Sequence, residues 1–253
     1  MLETAIEAAR RAGQLIAERY PGGRDASYKG HRDLVTATDI AAENAILRVV
    51  RDRFPAHTIL SEESEGGKIG DGYTWVVDPL DGTSNFTHRV PIFAVSIGVL
   101  EHGDPLLGVV HDPMRDHLFV ASRGSGAWLN DQPLRTSPLS NLRTALVGLD
   151  WARGDDGRRR VLANLRRVAP RCQTVRILGS AVLGLAYVAS GWLDAYFHVA
   201  LHPWDAAAAV LLISEAGGRC TTFSGEPYHI GLPNCAATNG HLHEELLELL
   251  PGE

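Results

Sequence analysis

The stretch D-P-L-D-G-T-S-N-F, residues 78–86, decides how the rest of the chain is interpreted. It follows residues 73–77, an apolar run rich in β-favouring side chains. That run predicts a strand that ends at Asp78, because Pro79 has no N–H to continue the ladder. Asp78 and Asp81 then lie three residues apart in a tight turn, where their oxygens can converge on one hard cation such as Mg²⁺. The stretch therefore predicts a cation site at the exit of a strand.

The second half of the same stretch suits an anion. Gly82 lets the backbone approach a ligand closely, and Thr83 and Ser84 offer hydroxyls and, at the start of a helix, unpaired N–H groups. The alternative is a turn in which Asp and Thr cap a helix and nothing is bound, and this stretch alone favours that alternative. Three further acidic residues at predicted strand ends or helix starts shift the balance towards a site: Asp39, Glu62 and Asp205.

Four motifs follow one another along the chain: L-V-T-A-T-D at residues 34–39, S-E-E at 61–63, the central stretch at 78–86 and W-D-A-A-A at 204–208. In order and spacing they resemble the inositol monophosphatase family, and the resemblance runs from the first predicted helix to T-N-G at 238–240. It implies a mixed α/β fold, a layered α-β-α-β-α sandwich like that of fructose 1,6-bisphosphatase. It also implies a Mg²⁺-dependent, lithium-sensitive phosphatase.

The resemblance assigns the metal ligands residue by residue. Glu62, Asp78 and the carbonyl of Leu80 would hold one Mg²⁺; Asp78, Asp81 and Asp205 would hold a second, and Glu62 would help a weaker third. Electrostatics agree that cations are required, since each pair of like charges at ~4 Å costs ~4 kcal/mol at an effective dielectric of ~20. Bare carboxylates would therefore repel a phosphate, and two to three ions per site are expected.

The resemblance also assigns catalytic and binding roles. Asp39 and Thr83 match the pair that orients and helps deprotonate the attacking water, and Glu62 is counted with them as catalytic. Gly82, Thr83 and Ser84 would cradle the phosphate. Ser180 could equally be only a helix N-cap. The residues expected to contact the rest of the substrate are Asp81, Gly179, Ser180, Ala181, His198 and Asp205.

His198 departs from the family pattern, which has a Glu seven residues before the W-D aspartate. A carboxylate accepts hydrogen bonds from two polyol hydroxyls, whereas a neutral imidazole offers one donor and one acceptor. Selectivity for inositol should weaken, and a partly protonated His198 could favour a second phosphate on the substrate. The alternative is that His198 only ends a strand and faces solvent.

The expected activity is hydrolysis of inositol 1-phosphate to inositol and phosphate. A broad sugar or polyol phosphatase, including a fructose 1,6-bisphosphatase, is the alternative within the same class. The S-N-F at residues 84–86 matches neither the K-E-F of nucleotide-type relatives nor the K-N-F of histidinol-phosphate relatives. A regulatory protein bound to the transcription machinery is the alternative of another class, because some bacterial relatives associate with it. The resemblance also suggests a homodimer.

Composition excludes several other classes. The 253 residues are 45% hydrophobic and 21% charged, as in an ordinary globular protein, and the net charge of −6 argues against nucleic acid as the main partner. Residues 158–160 and 166–167 form a basic run that is interpreted as a solvated helix face. Three widely spaced cysteines predict no disulfide framework and favour the cytoplasm, and no run is apolar enough for a membrane span or a leader.

The predicted organisation is a single domain, residues 1–253, with an α+β lobe at about 1–140 and an α/β lobe at about 141–253. Asp39 is interpreted as the N-cap of a helix at 39–54. Residues 24–33, which carry Lys29, form a polar loop that either folds over an anionic ligand or is an exposed connection. The other main predictions are a helix at 2–20, strands at 34–36 and 57–61, a meander at 92–121, alternating strands and helices at 145–223, and one helix at 204–216.

Overall fold

The computed structural model describes residues 1–22, 26–64 and 67–251. Its helices are α1 (Leu2–Arg19), α2 (Ala37–Arg53), α3 (Thr83–Thr87), α4 (Asp155–Val168), α5 (Ala181–Ala189), α6 (Pro203–Ala206), α7 (Ala209–Glu215) and α8 (His243–Leu247). Its strands are β1 (Ala26–Gly30), β2 (Asp33–Thr36), β3 (Thr58–Ser61), β4 (Tyr73–Asp81), β5 (Ala94–Glu101), β6 (Asp104–Asp112), β7 (His117–Ser122), β8 (Ala127–Leu129), β9 (Gln132–Pro133), β10 (Leu146–Leu149), β11 (Thr174–Ile177), β12 (Ala195–His198), β13 (Arg219–Thr221) and β14 (Cys235–Thr238).

The first large sheet has the strand order β3-β4-β5-β6-β7-β8-β9. Only β3 and β4 pair in parallel, and the rest form an antiparallel meander, as predicted for residues 92–121. The second sheet has the order β11-β10-β12-β14-β13, with β10 parallel to both β11 and β12. The predicted α/β alternation is confirmed, but β14, which lies inside this sheet, was missed.

The elements stack in five layers, which confirms the α-β-α-β-α sandwich. Helices α1 and α2 cover the outer face of the first sheet, where Ile16 and Ile46 pack with Trp75. Helices α5, α6 and α7 fill the space between the sheets, and α4 and α8 cover the outer face of the second sheet. Burying each large apolar side chain contributes about 1.5–3 kcal/mol, so every layer is held by its own apolar contacts.

Two glycines let the middle layer approach the first sheet closely. A Cβ on Gly98 of β5 would lie 2.7 Å from the Cβ of Ala207, and a Cβ on Gly108 of β6 would lie 2.5 Å from the carbonyl oxygen of Ala208. Neither position has room for a side chain. The segment that joins α6 to α7 therefore rests on sheet backbone, and this contact sets the distance of the start of α6 from the first sheet.

The N-terminal segment differs from prediction in two ways. Residues 26–30 are not loop but β1, which pairs with β2 in a hairpin, while residues 24 and 25 lie outside the described part of the chain. This strand is exposed along most of its length and so lacks the apolar alternation that would identify it. Asp39 is not an N-cap: Thr36 caps α2, and Asp39 is the third helical residue of a capping box.

Two other boundaries were wrong. β4 does not end at Asp78 but continues to Asp81, because an irregularity between residues 78 and 81 places Pro79 where no ladder bond is required. The helix predicted at 204–216 is two helices, α6 and α7, separated inside an alanine run that offers no sequence break. Of the Gly-rich segment 65–72, residues 65 and 66 lie outside the described residues. No described helix is long and apolar enough to cross a membrane.

We infer that the two large sheets mark the two lobes of one domain, with the division near residue 140. The first sheet ends with β9 and the second begins with β10. The helices between them contribute to one shared apolar core that contains Phe119 from one side and Tyr196 from the other. An interface of this kind holds the end of β4 and the start of α6 in register with each other.

Candidate active site

Three carboxylates meet where β4 ends and α6 begins. One oxygen from each of Asp78, Asp81 and Asp205 lies within 4.8 Å of the others. Asp78 and Asp81 are buried at the exit of β4, and Asp205 accepts the backbone N–H of His202 at 2.7 Å in the first turn of α6. The structure therefore brings together three predicted metal ligands that are up to 127 residues apart in sequence.

The cluster is electrostatically strained without a cation. Burial raises the pKa of Asp78 well above its usual range, and the charges of Glu62, Asp81 and Asp205 raise it further. Burial likewise raises the pKa of Asp81 to about 6 and that of Asp205 well above its usual range. An all-oxygen donor set with excess negative charge is what Mg²⁺ prefers, so these residues fit the ion.

Asp81 is held in place by the second lobe. Its Oδ2 accepts the hydroxyl of Ser180 and the backbone N–H of Val182 at 2.9 Å. Ser180 also accepts the N–H of Leu183 at 3.2 Å as the N-cap of α5, so the predicted cap exists and serves the carboxylate as well. Gly179 and Ala181, on either side of Ser180, line the cleft.

The central stretch touches the second lobe at a further point. Asn85 donates to the carbonyl of Leu178 at 2.8 Å and to that of Ile92 at 2.7 Å. The sequence analysis gave Asn85 no role. Its amide joins α3 to the segment that carries Gly179, and these contacts of a half-buried amide at the lobe boundary could be found only from the structure.

Asp39 and Thr83, the predicted water-activating pair, are in contact. The hydroxyl of Thr83 lies 3.0 Å from Asp39 Oδ1 and 3.2 Å from the carbonyl of Leu80, the backbone oxygen predicted to bind metal. Asp39 is fully buried, which raises its pKa, while hydrogen bonds from Thr36 and Thr83 work in the opposite direction. A hydroxyl has one proton, so Thr83 can donate to only one of its two acceptors at a time.

Glu62 stands beside the three-carboxylate cluster rather than in it. Its Oε1 accepts from Arg153 at 3.0 Å and lies 3.4 Å from the ammonium of Lys29, which also pairs with Glu63 at 2.7 Å. Arg153 reaches it from the second lobe and also pairs with Asp33 at 3.0 Å. Lys29 thus contacts a residue that lines the cleft, and the folding of its segment over an anionic ligand stays a prediction. Arg153 was missed.

The predicted phosphate cradle lies at the start of α3. Gly82 has φ +97°, and a Cβ there would lie 3.0 Å from the carbonyl oxygen of Ile92, so only glycine suits this position. Thr83 and Ser84 follow as the first helical residues, and no side chain caps them. All three line the cleft, and their contact with phosphate stays a prediction.

The cleft has a volume of about 520 Å³ and lies between the lobes. Its far wall is residues 150–154, with Arg158, which the sequence analysis did not include in the site. Asp150 directly follows β10, is buried, and accepts from the N–H of Gly179 at 2.6 Å and from the hydroxyl of Tyr196 at 3.1 Å. Burial raises its pKa to about 7. The rule that found Asp78, an acid at a strand exit, would have found Asp150 too.

His198 is buried and lines the cleft, so the alternative in which it faces solvent is wrong. Its Nδ1 accepts the backbone N–H of Ala200 at 3.0 Å. Burial lowers its pKa to about 4, and the positive charge of Arg153, with that of His202 when it is protonated, acts in the same direction. The imidazole is therefore neutral near pH 7 and carries its proton on Nε2. A neutral imidazole has no charge with which to attract a second phosphate, so the lowered pKa does not favour that part of the hypothesis.

Comparison with known proteins agrees with this architecture. The model of the inositol monophosphatase family matches residues 1–252. Nus factor SuhB of Escherichia coli is 42% identical over 251 residues, covering 98% of this chain and 94% of that protein, and inositol monophosphatase 2 of Solanum lycopersicum is 37% identical over 257 residues, covering 98% and 97%. The crystal structure of the extragenic suppressor protein suhB from Bartonella henselae superimposes with a TM-score of 0.92 at 36% identity, covering 98% and 97%.

The match extends over both sheets, the helical layer between them and the motifs that bring the three carboxylates together. It is too long and too similar to reflect a shared architecture alone. The chain belongs to the inositol monophosphatase family, a family of phosphatases.

Proposed function

We propose that this protein is a Mg²⁺-dependent phosphomonoesterase that hydrolyses inositol 1-phosphate to inositol and phosphate. The observation that carries the proposal is the meeting of Asp78, Asp81 and Asp205 within 4.8 Å of one another. The hydrogen-bonded pair of Asp39 and Thr83 adjoins this cluster through the Leu80 carbonyl. A cation site next to a buried base is the arrangement that hydrolysis of a phosphate ester requires.

The chain's own residues then take these roles. Glu62, Asp78, Asp81, Asp205 and the Leu80 carbonyl would hold two to three Mg²⁺. When bound, Mg²⁺ supplies positive charge that lowers the pKa of the attacking water and offsets the charge on the phosphoryl oxygens.

The remaining residues act on the water and the ester. Thr83 takes a proton from the attacking water as its own hydroxyl proton passes to Asp39, so that the water becomes hydroxide and Asp39 ends protonated. The N–H groups of Gly82, Thr83 and Ser84 hold the phosphate. No phosphorylated side chain is required. The residues that would face the alcohol part of the substrate are Asp81, Gly179, Ser180, Ala181, His198 and Asp205.

A phosphatase assay with and without Mg²⁺ tests the proposal. The panel is inositol 1-phosphate, fructose 1,6-bisphosphate, glycerol phosphate and histidinol phosphate, and we expect inositol 1-phosphate to have the highest kcat/KM. Chelation should abolish turnover and millimolar Li⁺ should reduce it, because a single charge polarises water less well than Mg²⁺. A higher kcat/KM for fructose 1,6-bisphosphate would favour the broad sugar phosphatase. Turnover that survives chelation would refute the mechanism.

The name of the Escherichia coli relative, Nus factor SuhB, favours a second candidate function, association with the transcription machinery. Analytical size exclusion with purified RNA polymerase tests it directly. The variant Asp205→Asn separates the two functions, because a docking role survives loss of the carboxylate and a phosphatase does not. We further propose a homodimer, to be measured by light scattering, and a cytoplasmic location, in keeping with the free thiols of Cys172, Cys220 and Cys235.

A further inference from the structure

Three arginines line the cleft, and their partners differ. Arg32 pairs with Asp155 at 2.5 Å, and Arg153 pairs with Glu62 and Asp33. Arg158 also lines the cleft, but among the residues that the structure describes it has no carboxylate within ion-pair distance. The far wall of the cleft thus carries one guanidinium whose charge is not neutralised by any side chain in the described part of the chain.

Arg158 is nevertheless fixed in position. It lies in the first turn of α4 and is half-buried, and its Nε donates to the carbonyl of Ala152 at 3.1 Å. The guanidinium carbon stands 5.8 Å from the centre of the Trp151 ring, within the range of a cation–π contact. These contacts use one of the five N–H donors, so the two terminal nitrogens keep theirs available in a set orientation. A pre-organised guanidinium of this kind suits a bidentate phosphate or carboxylate.

We propose that Arg158 binds a second anionic group of the substrate, at the end remote from the ester that is hydrolysed. The protein then also takes sugar or polyol esters that carry a second phosphate or a carboxylate, and it prefers each of them to the matching ester without that group. The proposal rests on the phosphatase function given above and extends its substrates beyond inositol 1-phosphate. Neutral His198 cannot supply this charge, and Arg32 and Arg153 are already paired with carboxylates. The cleft volume of about 520 Å³ is within the range that encloses a whole small ligand.

The test compares two esters that differ only in the second phosphate, fructose 1,6-bisphosphate and fructose 1-phosphate. In wild type we expect kcat/KM to favour the bisphosphate by about tenfold, the effect of one charge-assisted hydrogen bond. The variant Arg158→Gln should lose most of that preference, chiefly through a higher KM for the bisphosphate. Arg158→Lys should keep part of the preference for the bisphosphate, because the charge remains but the bidentate geometry of the guanidinium is lost.

Arg159→Gln is the matched control. It removes the same charge one residue further along α4, but Arg159 pairs with Asp156 at the surface and does not line the cleft. The preference of the Arg159→Gln variant for fructose 1,6-bisphosphate over fructose 1-phosphate should stay within twofold of wild type. Equal preferences in Arg158→Gln and Arg159→Gln would overturn the proposal, since the effect would then come from net charge alone.

Failure of the phosphatase function gives a different result, namely no Mg²⁺-dependent turnover of either ester. In that case titration calorimetry with the same two esters decides the proposal without catalysis. Tighter binding of the bisphosphate that Arg158→Gln removes would support the subsite. Equal affinity of wild type and Arg158→Gln for the bisphosphate would refute it.

Discussion

The hydroxyl of Thr83 donates to Asp39 Oδ1 at 3.0 Å and so joins the first turn of α3 to the first turn of α2, 44 residues earlier in the chain. The same hydroxyl is 3.2 Å from the Leu80 carbonyl. The one hydroxyl proton of Thr83 therefore has two acceptors in reach, a buried carboxylate and the backbone oxygen predicted to bind metal. This contact links a residue that lines the cleft to a carboxylate buried behind it.

Thr83→Val should lower kcat by about 10²–10³ with little change in KM, because it removes a proton acceptor but keeps the shape of the side chain. Thr83→Ser restores the hydroxyl and should recover most of the rate. Steady-state kinetics on inositol 1-phosphate measure both values. A variant Thr83→Val with wild-type kcat would remove Thr83 from the mechanism.

Asp78→Asn should lower turnover by about 10³ or more, since a charge shared between the proposed ions is lost. In chelator the same variant should melt higher than wild type, because the buried neighbours of Asp78 no longer repel a third charge. Adding Mg²⁺ should raise Tm strongly in wild type and weakly in the variant. Differential scanning fluorimetry measures the Tm of wild type and of the variant, each in EDTA and in Mg²⁺. Equal Mg²⁺ shifts in the two proteins would exclude Asp78 as a ligand.

His198→Glu should shift selectivity towards inositol 1-phosphate and away from fructose 1,6-bisphosphate by roughly tenfold. The carboxylate accepts two polyol hydroxyls where the neutral imidazole accepts at most one. The ratio of the two kcat/KM values is the measurement, and His198→Gln, which keeps a neutral side chain, is the control. An unmoved ratio in His198→Glu would mean that position 198 does not contact the substrate.

His243 should make the protein acid-sensitive at a site remote from the cleft. It is buried between Thr221 and Thr238, whose hydroxyls lie 2.8 and 2.9 Å from its two ring nitrogens, and burial lowers its pKa from 6.5 to about 4. Between those pH values the unfolded chain binds the extra proton, so stability falls as pH drops from 6.5 towards 4 and then levels off. The loss attributable to this residue is up to about 3 kcal/mol.

His243→Gln removes that titration while keeping an amide that can face both hydroxyls. Urea denaturation at pH 7.0 and 4.5 measures the free energy of unfolding of each protein. We expect the acid-induced loss to be smaller in the variant, even if its stability at pH 7.0 is lower. Parallel losses in the two proteins would show that other groups cause the acid sensitivity.

The sequence predicted much of this fold because its strongest patterns are local. Apolar periodicity identified α1 and most of the second sheet, and the acids at strand exits and helix starts identified Asp78, Asp81 and Asp205. β14 was missed because its four small residues, C-A-A-T, contain no periodic large apolar side chain. The break between α6 and α7 was missed because nothing in the alanine run marks it, and the contacts that this segment makes with Gly98 and Gly108 come from a distant sheet.

The site was predictable only in part for a similar reason. A motif places a carboxylate at the end of an element, but the partners of that carboxylate come from elsewhere in the chain. The pairing of Glu62 with Arg153 and the anchoring of Asp81 by Ser180 depend on how the two lobes meet. Residues 158–160 were interpreted as a solvated face because charge runs usually are, yet Arg158 turns back to the cleft through Ala152.

The close approach of Gly98 and Gly108 to Ala207 and Ala208 limits which parts of the sequence can vary without moving the site. The gap between Asp205 and the carboxylates of β4 is set in part by this close packing, which depends on two absent methyl groups, and in part by the hydrogen bond from the Ser96 hydroxyl to the carbonyl of Trp204 at 3.2 Å. Residues 150–158 lie outside that contact. Exchange of their side chains can retune the choice of alcohol while the distance that governs cleavage stays the same, and the two properties can therefore evolve separately.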